Sequence, residues 1–248
     1  MTGKKTVILV AWEDETKALS DSDKQRLDDN NIEIVYTGIG KINATRETTR
    51  IILESIYRGD PAGGNLARLQ IVNVGCAGSH TTPVRTLIKP TAFMQRDMDA
   101  RQFGYKQYRT PEAAQQHWML GARLPSEGIK SSSPKVLRTT SHPKVLLRDP
   151  ARAAEEAAEI PVKPHWIVCA TGDNANGYSE TSDEVPAFDA VDMEASAIAA
   201  VCGHYGVSFT CYKWITDLAA EDSTIEELIE NNKLLPWTQI IDEILLLD

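Results

Sequence analysis

Three acids in this chain stand where an α/β sheet would put them to use. Glu13-Asp14-Glu15 follows directly on the apolar run at 6–11 (T-V-I-L-V-A). Glu194 lies in A-V-D-M-E-A-S-A, at a strand-to-helix transition, and Asp217 closes the run K-W-I-T-D. Ligands of open α/β sheets gather beyond the carboxyl ends of the strands. Each acid alone is more simply a helix cap or a solvated side chain, because carboxylates favour helix N-termini. Together they have a chemistry. Separated carboxylates can cleave a glycosidic bond, one protonating the leaving group while another activates water on the opposite face. A third accepts hydrogen bonds from sugar hydroxyls. The acid of such a set needs a raised pKa, which burial or a nearby like charge supplies.

Three glycine turns accompany the acids. Thr37-Gly38-Ile39-Gly40 reads as a tight turn into a helix. Gly75-Cys76-Ala77-Gly78 is small enough for a ribose or a planar ligand to approach the backbone, or for a helix to cross the sheet closely. Thr171-Gly172-Asp173-Asn174 repeats the pattern after another strand. His117, His142 and His204 have neither ligand-like nor dyad spacing. Cys76, Cys169, Cys202 and Cys211 form no C-x-x-C pair and mostly sit in apolar surroundings, which predicts buried reduced thiols.

The elements that must position these groups alternate. Apolar runs at 6–11, 32–36, 69–74, 165–170 and 207–215 predict strands, with a further one at 87–93. Periodic segments at 44–57, 150–159, 193–204, 225–232 and 237–247 predict helices. Alternation of this kind predicts an α/β layered fold. Residues 105–144, polar and carrying S-S-S-P, read as a surface excursion within a single domain spanning 1–248.

The chain of 248 residues carries 26 Lys and Arg against 35 Asp and Glu, a net charge of −9. With its basic residues scattered, it lacks the stripe that phosphate neutralisation requires, so no nucleic-acid partner is expected. No apolar run approaches the roughly 18 residues of a membrane span, and the N-terminal run is too short for a signal peptide. A cytoplasmic enzyme or binding domain without a membrane partner is therefore expected. A hydrophobic content of 42% excludes global disorder.

Seven motifs in order resemble the nucleoside phosphorylase/nucleosidase superfamily, and within it the methylthioadenosine/S-adenosylhomocysteine nucleosidases. They are A-W-E-D-E (11–15), T-G-I-G-K-I-N-A (37–44), V-N-V-G-C-A-G (72–78), D-M-D-A-R-Q-F-G-Y (97–105), A-T-G-D-N (170–174), A-V-D-M-E-A-S-A-I-A (190–199) and K-W-I-T-D-L-A (213–219). The resemblance implies a three-layer α/β/α sandwich around a central mixed sheet, assembled as a homodimer or a larger ring. It implies Glu15 as the residue that activates water, Asp217 as the acid that protonates purine N7, and Glu194 as the ligand of the ribose hydroxyls. Met193 would pack on the sugar, and Cys76, Ala77 and Gly78 would lie along the ribosyl region. A small-molecule purine nucleoside is the implied substrate, and no metal or organic cofactor is implied.

The chain departs from the family in its base pocket. The usual S-G-D-x-F here reads T-G-D-N-A, so at Asp173-Asn174-Ala175 the stacking aromatic is replaced by alanine, and Tyr178 is the next ring along. Arg101, Arg109 and Arg123 are candidates for a 5′-phosphate contact. The first loop separates hydrolysis from phosphorolysis. A phosphate dianion beside C1′ calls for arginine and glycine amides, whereas Trp12-Glu13-Asp14-Glu15 offers acids. Like charges about 4 Å apart repel by roughly 4 kcal/mol at an effective dielectric of 20, and a carboxylate is what water activation requires. Arg85 keeps a phosphorylase open as the alternative, and Ala175 keeps open a non-catalytic nucleoside-binding protein.

Overall fold

A computed structural model describes residues 4–57, 66–105, 108, 118–119, 167–174, 188–219 and 225–247. Apolar runs become strands that send successive side chains to two different cores. In β1 (Lys5–Val10), Val7 and Leu9 face one core while Ile8 and Val10 face the other. The same alternation divides β3 (Leu69–Gly78) and β9 (Ser208–Asp217), as expected of strands covered on both faces. Helices α2 (Lys41–Tyr57) and α3 (Ala195–Tyr205) close the first core. Helices α1 (Asp21–Asp29) and α5 (Trp237–Leu245) close the second, and α4 (Ile225–Asn232) packs against β9. The result is three layers around a mixed sheet.

In the sheet, β1 pairs in parallel with β2 (Glu33–Tyr36) and with β3, and β3 pairs in parallel with β9. Beyond β3 the order continues through β8 (Ala190–Asp192), β7 (Val168–Thr171), β5 (Ala92–Gln95) and β6 (Trp118–Met119). β4 (Leu87–Ile88) lies antiparallel to β9. The carboxyl ends of the parallel strands β1, β3 and β9 therefore lie at one edge of the sheet, and β8, antiparallel to β3, meets that edge where Val191 pairs with Gly78.

Four sequence expectations change. The strand expected at 87–93 is two, β4 and β5, interrupted at Lys89-Pro90, where proline cannot donate to a ladder. α3 starts at Ala195 rather than 193, because 190–192 form the short strand β8. α1 was not anticipated. It is polar nearly all round, burying only Asp23 and Leu27, and its start is set by a reciprocal cap between Ser20 and Asp23. Within 105–144, the pair Trp118–Met119 joins the sheet edge against Ala92 and Phe93. The helix expected at 150–159 lies outside the described residues.

Candidate active site

Of the first acidic cluster only Glu15 turns inward. Glu13 is exposed, and Asp14 pairs with Lys17 at 2.7 Å. A single helical turn after β1 (Glu13–Thr16) folds the Glu15 carboxylate back under the loop. Its Oε2 accepts from the backbone N–H of Ala11 (2.9 Å) and Trp12 (3.3 Å), and its Oε1 from that of Cys76 (2.8 Å). Trp237 anchors the turn by donating from Nε1 to the Glu15 carbonyl at 2.8 Å. Burial pushes the Glu15 pKa above the ordinary carboxylate value, although Lys213 and the three amides pull it down.

Glu194 occupies the N-cap position of α3 and is equally buried. Its Oε1 accepts from the Gly40 N–H at 2.8 Å. Burial, and next the charge of Asp192, push its pKa up to about 7, with Glu15 contributing in the same direction. The charge of Lys213 opposes the rise at both Glu15 and Glu194. Between them lies a pair that the sequence reading missed. Lys213 Nζ meets Asp192 Oδ2 at 2.8 Å, with side-chain exposures of 1% and 0%. Asp192 also accepts from Thr171 Oγ1 (2.5 Å) and from the Ala195 N–H (2.8 Å). Burial opposes its charge, but the Lys213 ammonium prevails and holds it below its usual pKa. A signal for the pair was present: a lysine inside the run V-S-F-T-C-Y-K-W-I requires a buried counter-ion.

Asp217 ends β9 at an irregularity. Ala77 pairs with Ile215 but Gly78 with Asp217, so Thr216 is an extra residue on β9. Bulges of this kind re-aim side chains next to active sites. Asp217 Oδ1 accepts from the Ala219 N–H (2.7 Å) and Oδ2 from Thr216 Oγ1 (2.9 Å). The Cys76 N–H binds Glu15, and its thiol has a partner of its own. The thiol donates to Asn232 Oδ1 at 2.6 Å, and its pKa is driven up by burial and then by Glu15, with Asp217 adding to the rise against Lys213.

Two glycines leave room for the carboxylates. A Cβ at 75 would lie 2.7 Å from Glu15 Oε1 and 3.4 Å from Lys213 Nζ. A Cβ at 78 would lie 2.5 Å from Asp217 Oδ1 and 3.0 Å from the Ala219 backbone. Gly78→Ala should therefore displace Asp217 and lower kcat by about 100-fold, since catalytic groups misplaced by an ångström lose that much. An unchanged kcat in steady-state assays would show that Asp217 does not need this position.

The other predicted residues divide. Met193 is half-buried beside Glu194, and Ala77 is buried in the first core. The Asp173 carboxylate turns to the N-terminus of α2, accepting from the Lys41 N–H at 2.9 Å. Asn174 is exposed, and its carbonyl accepts from Arg96 Nη2. Ala175 and Tyr178 lie outside the described residues, as do Arg109 and Arg123. Arg101 is engaged by Asp99, at 2.9 and 2.6 Å, and Arg85 by Asn231 Oδ1 at 2.9 Å. Among the described residues no cluster of His, Cys, Asp and Glu is arranged to hold a metal ion, and no helix is long and apolar enough to cross a membrane.

Residues 24–235 match the family model of the Phosphorylase superfamily. The chain is 28% identical over 219 residues to a 5′-methylthioadenosine/S-adenosylhomocysteine nucleosidase of Bacillus thuringiensis subsp. konkukian, covering 86% of this chain and 79% of the relative. A nucleosidase of that name from Bacillus anthracis is similar to the same extent. Among solved structures, the Helicobacter pylori nucleosidase in complex with butyl-thio-DADMe-Immucillin-A superposes with a TM-score of 0.63 at 19% identity, over 98% of this chain and 99% of that one. The native futalosine hydrolase of Helicobacter pylori superposes with a TM-score of 0.62 at 19% identity, over 97% of each chain.

Proposed function

Because this chain belongs to the phosphorylase superfamily, we propose that it hydrolyses the N-glycosidic bond of a purine nucleoside, releasing free base and free sugar. Asp217 delivers a proton to purine N7 and makes the base a better leaving group. The ribosyl group develops oxocarbenium character, as in other glycoside cleavage. Glu15 takes a proton from water on the opposite face, and Glu194 accepts hydrogen bonds from the 2′ and 3′ hydroxyls. Met193, Cys76, Ala77 and Gly78 line the sugar side. Asp173 and Asn174 belong to the base side, with Asp173 acting through the loop it ties. The relatives favour an adenine nucleoside with a 5′-thio substituent.

One observation carries hydrolysis over phosphorolysis. The amides of Ala11, Trp12 and Cys76, which would otherwise cradle an anion, are all taken by the Glu15 carboxylate. A phosphate dianion would meet a buried acid in place of donors. The raised pKa of Glu15 also makes it a stronger base than a solvated carboxylate. We further propose that the enzyme is a cytoplasmic, single-domain protein that works as a homodimer. In support, Ile42, two residues after Gly40, exposes 80% of its surface and Phe103 exposes 70%, apolar side chains that a second copy would cover.

The test is a panel of 5′-methylthioadenosine, S-adenosylhomocysteine, adenosine and adenosine 5′-monophosphate, assayed with and without phosphate. Base release independent of phosphate supports the proposal. Release that requires phosphate would establish the phosphorylase, and a saturable thermal shift with no base released would establish a binder.

The elevated pKa of Glu194 carries a stability cost with a defined sign. Its pKa is about 7 in the fold against 4.5 in the unfolded chain, so stability falls as pH rises from 4.5 to 7. Glu194→Gln should match the parent near pH 4.5 and be more stable at pH 8, by up to about 3 kcal/mol. Denaturant titrations at the two pH values check this. An equal difference at both would show that Glu194 is not held protonated by its surroundings.

A further inference from the structure

Glu194 is oriented by the Gly40 N–H, and Gly40 is itself held in place by a cluster around Lys41, a residue to which the proposed chemistry assigns no role. Gly40 has φ +93, a left-handed conformation that favours glycine. It immediately precedes α2, whose first N–H groups have no partners within the helix. Two carboxylates from distant parts of the chain satisfy them: Glu194 takes the Gly40 N–H, and Asp173 Oδ1 takes the Lys41 N–H. The Lys41 side chain then folds over this junction. Its Nζ contacts Asp97 Oδ1 at 2.6 Å and Oδ2 at 2.7 Å, and Asp173 Oδ2 at 3.5 Å. Asp97 closes the ring by accepting from the Asp173 N–H at 2.9 Å. With 15% of its side chain exposed, Lys41 is better shielded than a surface ion pair.

We propose that Lys41 is a positioning residue. By clasping Asp97 and Asp173 it joins the turn after β2, the turn after β5 and the turn after β7, and so fixes Gly40 where its N–H aims Glu194 at the ribose hydroxyls. The inference rests on the reading of Glu194 as the ribose ligand. Without the ammonium, Asp97 and Asp173 are two adjacent carboxylates that repel, the turn carrying Gly40 loosens, and Glu194 loses its fixed direction. Arginine keeps the charge and can bridge both acids.

The test compares kcat/KM for 5′-methylthioadenosine with that for its 2′-deoxy analogue, in the parent, Lys41→Met, Lys41→Arg and Glu194→Gln. Arg50→Gln serves as a control, because it breaks exposed pairs with Glu47 and Glu54 on the same helix and does not touch Gly40. Lys41→Met should reduce the preference for the riboside about tenfold, the worth of one hydrogen bond to a charged group. Lys41→Arg should restore most of it, and Arg50→Gln should keep it. If Glu194→Gln loses the preference while Lys41→Met retains it, the clasp has no positioning role and the proposal falls. If the parent and Glu194→Gln show the same preference, the ribose assignment fails and the proposal fails with it. Should Lys41→Met not fold, Asp97→Asn removes the same bridge, and a preference unchanged in that variant overturns the proposal equally.

Discussion

Asp217→Asn should lower kcat about 1,000-fold while KM moves little, the loss expected when a positioned general acid is removed. The asparagine is nearly the same shape. Its amide oxygen can still accept from the Ala219 N–H, and the Thr216 hydroxyl can reverse to accept from the amide nitrogen. The ground-state complex is therefore largely preserved. What disappears is the proton that moves to N7 as the bond breaks, an interaction that strengthens only in the transition state. The loss should be smaller for a substrate whose leaving group needs no protonation, such as a p-nitrophenyl riboside. Equal losses for both substrates, measured under saturating conditions, would show that Asp217 is not the acid.

Glu15→Gln should lose kcat to a similar degree, about 1,000-fold, but with a different signature. Three amides converge on the two carboxylate oxygens of Glu15. A glutamine presents one oxygen and one N–H₂, so at least one buried N–H loses its acceptor, at a cost of about 1–3 kcal/mol. Lys213, which lies beside the same glycine slot, also loses a neighbouring negative charge. Glu15→Gln should therefore be both inactive and thermally weaker than the parent, whereas Asp217→Asn should be inactive and close to it in stability. Thermal unfolding of the two variants side by side checks the contrast. A Glu15→Gln protein that hydrolyses at the parent rate would remove Glu15 from the chemistry.

Much of this architecture could be read in the sequence because its signals are local. A continuous apolar run such as V-I-L-V, followed at once by acids, marks a doubly covered strand delivering a side chain to its carboxyl end, and β1 with Glu15 is that case. What stayed hidden has identifiable causes. β8 is only three residues long, too short for any periodicity, yet it carries Asp192 and leads into Glu194. α1 offers one buried aliphatic residue, so its helical stripe is almost silent. The extra residue at Thr216 exists only in the register between β3 and β9. Lys41, Asp97 and Asp173 come from three separate segments and meet only after folding. By contrast, Lys213 was legible in principle, since a cation inside a buried strand announces a missing partner.

The most direct test places the oxygen. The purified protein is incubated with 5′-methylthioadenosine in phosphate-free, ¹⁸O-enriched water, and the sugar product is analysed by mass spectrometry. One ¹⁸O at C1 of a free sugar, in amounts equal to the adenine released, is the predicted result. Adenine release that stops in the absence of phosphate and resumes with formation of sugar 1-phosphate would contradict it.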